Sequence, residues 1–184
     1  TYHPGQEGRF AITVSSSKPV VFERIAQRPR VTSLRGAWDA TSGGCMNNAS
    51  WRKNPSYLLS LSADVAKISA VLQVDASSPY PAIGLYCFRG KPGVRQGGAT
   101  NSLDTSDLLA SPGSFVHGRQ TLLTMHALQK GEYILVPTCY RPGEFIGGFK
   151  VSVSSEPIVD LSLECVFAHT STQRPGSAVQ QRQQ

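Results

Sequence analysis

Residues 130–157 read KGEYILVPTCYRPGEFIGGFKVSVSSEP, and this stretch decides the fold. Gly131 and Glu132 open it as a turn. The apolar run Tyr133, Ile134, Leu135 and Val136 is then a short buried strand, closed by Pro137. Arg141, Pro142, Gly143 and Glu144 have the chemistry of a second turn, Pro presetting φ and Gly allowing it to turn positive. Beyond that turn Phe149, Val151 and Val153 alternate with Lys150, Ser152 and Ser154. Successive side chains of a strand point to opposite faces, so this strand covers a core with one face and meets water with the other.

The rest of the chain is punctuated in the same way. Apolar runs at residues 57–61, 67–75, 83–88, 120–125 and 158–167 are separated by stretches rich in Gly, Pro and Ser, which predicts strands joined by turns. Ile68, Ala70, Leu72 and Val74 share one face of the second run. Ser62, Ala63 and Asp64 read as a tight hairpin connection between the first two. Residues 89–100 hold Gly90, Pro92, Gly93, Gly97 and Gly98 without apolar periodicity and read as a long loop. The one helix candidate, residues 101–110, has Ser102 as cap and spans about two turns. Seven or eight strands with so little helix make an all-β antiparallel β-sandwich, and the amphipathic crossover helices of a parallel sheet are missing.

The turn-and-strand unit of residues 140–155 has a second copy near the N-terminus. Tyr2, Pro4 and Gly5, then Gly8, Phe10, Ile12, Val14 and Ser15, line up with Tyr140, Pro142 and Gly143, then Gly147, Phe149, Val151, Val153 and Ser154, with one residue inserted in the later turn. The copies stand a domain's length apart, too far for a solenoid. Residues 1–18 therefore read as the last strand of a preceding, truncated β-sandwich domain, and 19–31 as a linker. Residues 32–168 form one complete domain and 169–184 a disordered tail with almost nothing to bury. Such an orphan strand would extend a sheet edge or dimerise the chain.

Composition narrows the function classes. The 184 residues can bury a core without a metal or disulfide staple. Cys45, Cys87, Cys139 and Cys165 lie far apart, as do His3, His117, His126 and His169, a pattern of free buried thiols in a reducing, cytoplasmic setting rather than of a zinc site. The net charge of +6 admits an acidic partner or an anionic membrane surface. The basic residues are dispersed and not interleaved with aromatics, which argues against nucleic acid. Arg52, Lys53, Arg89, Lys91 and Arg95 are the candidates for contact with anionic headgroups. Cys45, His126 and Asn47 supply the residue types of a papain-like site, but no catalytic signature surrounds them, and no cofactor or metal motif is present.

Taken in order, Trp38, then Gly43, Gly44 and Cys45, Asn47, Asn54 and Pro55, Gly84, and the run from Gly131 through Tyr133 to Pro137 resemble the β-sandwich of calpain cysteine proteases, their C2-like domain III. The resemblance covers residues 32–155 and returns at residues 1–16. Two such domains in tandem are similar to the C-terminal half of the atypical, PalB-type calpains. The resemblance implies that these motif residues are structural, and that the chain is a non-catalytic regulatory or binding region whose protease domain lies upstream. It implies as partners that catalytic domain and endosomal sorting proteins, with recruitment to the endosomal membrane. A C2-like lipid- or protein-binding module without a protease is the alternative. Classical calpains carry a run of acids between the strands matching residues 57–61 and 67–75. Here Asp64 stands alone, so no calcium binding is expected.

Overall fold

The structure, a computed structural model, describes residues 13, 15–21, 30–76, 78–91 and 103–168. Among these, ten strands form two antiparallel sheets facing each other. The first runs in the order β1 (Thr32–Trp38), β9 (Gly147–Glu156), β3 (Val65–Val74), β7 (Gln120–Leu128). The second runs β10 (Leu161–Phe167), β2 (Ser56–Leu61), β8 (Gly131–Cys139), β4 (Ala82–Arg89), β5 (Leu108–Ala110), with β6 (Val116–His117) pairing the start of β4.

Alternation sorts the side chains into layers. Phe149, Val151 and Val153 of β9 and Ile68, Ala70, Leu72 and Val74 of β3 pack against Tyr57, Leu59, Leu61, Leu85, Cys87 and Leu135 of the facing sheet, all buried. The intervening residues of the second sheet are apolar too. Leu58, Tyr86, Phe88, Ile134 and Val136 form a second cluster on its outer face, roofed by Trp51 and Leu103. The outer face of the four-stranded sheet carries Ser33, Arg35, Lys150, Ser152, Ser154, Ser69 and Gln73 and meets water.

Four local readings change. Residues 62–64 are not a hairpin turn, because β2 and β3 belong to different sheets. β2 is buried on both faces and needs a covered sheet, whereas β3 is apolar on one face, so the connection passes from one layer to the other. Pro137 does not end β8, which continues to Cys139. Its carbonyl accepts the Trp38 indole N–H, so its nitrogen also points away from β4, on the side where the β2 pairing has stopped at Leu135. No ladder bond is lost there. Of the helix reading, residues 101 and 102 lie outside the described residues. The remainder is one 3-10 turn, Thr105–Asp107, capped by Asp104, followed by β5 pairing β4. Pairing with Phe88 and Cys87 outweighs the weak propensity of a two-turn helix. The run at 158–167 enters its strand only at Leu161.

The readings of residues 1–12 as an orphan strand, of 22–29 as linker, of 92–100 as loop and of 169–184 as tail lie outside the described residues.

Candidate functional site

The motif residues converge on one loop. Residues 39–55, joining β1 to β2, fold back over the end of the sandwich and are held by the side chain of Asn54, 1% exposed. Its Oδ1 accepts the Gly43 N–H at 3.1 Å. Its Nδ2 donates to Gly44 O at 2.7 Å, to Trp51 O at 2.8 Å and to Thr138 Oγ1 at 3.1 Å. A side-chain amide pairs a carbonyl acceptor with two N–H donors on one planar group, which lets it accept from one backbone segment and donate to others at such a crossing. The paired glycines permit the approach: a Cβ on Gly43 would sit 1.9 Å from Ser50 O, and Gly44 takes φ +74° against Pro142. Cys45 N–H donates to Tyr140 O at 3.1 Å, tying the loop to the turn after β8.

The other motif residues frame this knot. Trp38 Nε1 donates to Pro137 O at 3.1 Å, and the indole lies 4.2 Å from the ring of Phe149, centroid to centroid. Pro55 is buried where the loop enters β2. Gly84 lies beneath Phe115 and Pro112. Gly131 opens β8 opposite Leu61, and Tyr133 donates its hydroxyl to Gln129 O at 2.7 Å at the far end. These groups are satisfied inside the fold, so what they do chemically is hold loops in place.

The basic candidates are only partly gathered. The 3-10 helix Ala49–Lys53 lays Trp51 flat on Phe88, 5.3 Å between centroids and 12° between planes. The Arg52 guanidinium lies over that indole, 4.7 Å from its centroid, and donates to Leu103 O at 3.0 and 3.2 Å. Lys91 is paired with Asp107, whose carboxyl its hydrogen bond holds below the usual range. Residues 103–107 thus receive both Arg52 and Lys91. Lys53 and Arg89 are exposed, and Arg95 lies outside the described residues.

Two clefts open on the surface. One, of about 510 Å³, lies at the loop end and includes Cys45, Asn47, Tyr86, Phe115, His117 and Tyr140. The other, of about 540 Å³, lies between the free sides of the two sheets and includes Arg89, Thr124, His126, Ala127 and Tyr133. Cys45 and His126, the thiol and base of the papain-like residue set, therefore line separate clefts. Cys45 Sγ faces the amide of Asn48 at 3.4 Å, and His117 Nδ1 faces Tyr80 O at 3.1 Å. Burial pushes the thiols of Cys87 and Cys139 up to about 12, which keeps them protonated and unreactive at neutral pH. Among the described residues no three His, Cys, Asp or Glu side chains gather as a metal ion would require.

Two features escaped the sequence reading. The aromatic run Tyr86, Phe115, Tyr140 in the first cleft, with centroids 6.2 and 5.3 Å apart, draws on three segments far apart in the chain. Leu103, 2% exposed, is a roof residue over the outer face of the second sheet, whereas the sequence places it in a two-turn helix.

A sequence profile of the family described as calpain large subunit, domain III, matches residues 34–151. The Dictyostelium discoideum protein named serine/threonine-protein kinase 4 homolog B is 26% identical over 170 residues, covering 88% of this chain and 15% of that protein. Calpain-5 of Caenorhabditis elegans is 26% identical over 145 residues, 73% of this chain and 21% of that one. The chain thus spans only a small part of the curated relatives it matches. A solved structure titled "Structure of black queen cell virus" superposes with TM-score 0.40 at 14% identity, over 83% of this chain and 76% of that one, too loosely to bear on fold or function.

Proposed function

Because this chain belongs to the calpain domain III family, whose members are non-catalytic C2-like β-sandwich modules, we propose that it is the regulatory and docking region of a larger PalB-type, calpain-like cysteine protease. The observation that carries this reading is the family match over residues 34–151, which spans the sandwich from β1 to β9. In this role the module holds the catalytic half and brings it to endosomal sorting proteins, and its exposed cations Lys53 and Arg89 help it rest on anionic membrane. The internal repeat of residues 2–16 and 140–155 supports the tandem, PalB-type form of the reading.

A second reading is favoured by one observation: similar segments occur in a protein named a kinase and in one named a calpain. On that reading the sandwich is a portable lipid- or protein-binding module, attached to catalytic domains of different chemistry or to none.

The parent protein decides between them. The parent is expected to cleave a casein substrate through a Cys-His-Asn site upstream of residue 1. Deleting residues 32–168 is expected to leave that cleavage but abolish co-precipitation with endosomal sorting proteins. A parent without such a site refutes the protease reading in favour of the portable module. Sedimentation with neutral and acidic vesicles at low salt tests the membrane arm, and equal recovery in both ends it.

A further inference from the structure

The two long sides of the sandwich differ. Along β1 and β10 the sheets are joined: Thr32 Oγ1 donates to Leu161 O at 3.5 Å, and Arg30 pairs with Asp160 at 2.5 Å. On the other side the six-stranded sheet ends in β5, three residues long, and the four-stranded sheet ends in β7, nine residues long. Among the described residues β7 has β3 on one flank and no strand on the other. About half of its N–H and C=O groups therefore point outward as unused ladder partners.

Edge strands are usually blunted by Lys, Pro or a bulge that twists the edge away. β7, QTLLTMHAL, has no Lys and no Pro, and its pairing with β3 is continuous from Lys67 opposite His126 to Gln73 opposite Gln120, interrupted only at Ala127 before Val65 meets Leu128. Leu122 is 58% exposed, and Thr124 and His126 are exposed beyond it. The strand borders the 540 Å³ cleft, where Ala127 takes φ +53°, the left-handed region that a residue with a Cβ adopts only at a cost.

The charge around this edge is mainly positive. Arg89 lines the cleft, Arg119 directly precedes β7 and Lys130 follows it, all exposed, while β7 itself holds no acid. The nearby Asp64 carboxylate is committed to the Lys130 backbone N–H at 2.7 Å. A second copy of this chain would bring the same cations to the edge, in a molecule of net charge +6. An acidic strand meets complementary charge instead.

We propose that β7 takes an extended, acidic segment of a partner protein as a fifth strand of the four-stranded sheet. Its backbone completes the ladder along residues 120–128, one of its carboxylates pairs with Arg89, and its aliphatic side chains cover Leu122. This surface is set by the sandwich itself and does not depend on which catalytic domain the parent carries.

The test uses the whole chain and three fluorescent capped peptides of about nine residues: one alternating Val and Glu, one alternating Val and Lys, and the acidic one with a central Pro. Anisotropy is expected to show binding of the first, with each of the others weaker by about tenfold or more. Arg89→Glu is expected to weaken the acidic peptide to the same degree without changing thermal unfolding, and hydrogen exchange to slow in residues 120–128. No binding refutes the proposal, as does equal affinity with and without the Pro, which would mean charge attraction alone. A dimer in light scattering with β7 already protected would mean self-pairing. Binding seen only after removal of residues 1–18 would mean that the chain's own N-terminal segment holds the edge. Either of these overturns the proposal.

Discussion

Replacing Asn54 by Ala is the sharpest probe of how the motif residues work. The amide serves four partners at 2.7 to 3.1 Å in a site sealed from solvent. Two of them have replacements after truncation: Trp51 O still accepts the Asn54 backbone N–H, and Thr138 Oγ1 still donates to Cys139 O. The Gly43 N–H and the Gly44 carbonyl lose the bonds that Asn54 supplied. At about 1 to 3 kcal/mol for each of these two buried groups left unpaired, the expected loss is about 2 to 6 kcal/mol, a large share of a typical domain's stability. Urea unfolding followed by the fluorescence of Trp38 and Trp51, which flank the site, reads this as a lower midpoint at unchanged slope. Asn54→Asp should do worse than Ala at neutral pH, since a carboxylate would face the Gly44 and Trp51 carbonyl oxygens. A loss under about 1 kcal/mol for Ala, or a milder effect of Asp than of Ala, would refute the view that this amide holds the loop.

Three further outcomes follow from the same geometry. Gly43→Ala should lower stability by about 2 kcal/mol or more, because the new Cβ meets a backbone oxygen rather than a yielding side chain; an unchanged melting temperature would contradict this packing. A maleimide reagent at neutral pH should label Cys165, which is exposed, and reach Cys45, Cys87 and Cys139 only in denaturant; mass spectrometry showing native labelling of Cys87 would contradict its inward register on β4. Stability should also fall in alkali. The folded chain keeps the Cys87 and Cys139 protons up to about 12, whereas the unfolded chain releases them near 9.0, so the stabilisation present below pH 9.0 is lost as pH rises through that window. The slope is up to about 1.4 kcal/mol per pH unit for each thiol. Urea midpoints across the window should flatten in Cys87→Ala, and an identical slope would refute the assignment.

Much of the fold was legible because alternation is a local property. The faces read for residues 67–75 and 149–154 are the faces that β3 and β9 bury. Three adjacent buried residues, Tyr57, Leu58 and Leu59, already pointed to a strand covered on both sides, but the tight spacing of residues 62–64 read more simply as a hairpin. Of the candidate site, the motif residues could be named in order, yet nothing in their spacing told that Asn54 would reach Gly43, Gly44, Trp51 and Thr138 at once.

By itself, then, the sequence determined most of the long strands, the faces that β3 and β9 bury, the sandwich class and the family, since period-two patterning and turn chemistry act within a few residues. Only the tertiary structure decided which sheet each strand joins, how the loop of residues 39–55 locks and that β7 has, among the described residues, no strand beyond it. Those outcomes depend on pairing between segments far apart in the chain, where the burial of β2 on two faces and the carbonyl of Pro137 turned toward Trp38 outweigh local signals.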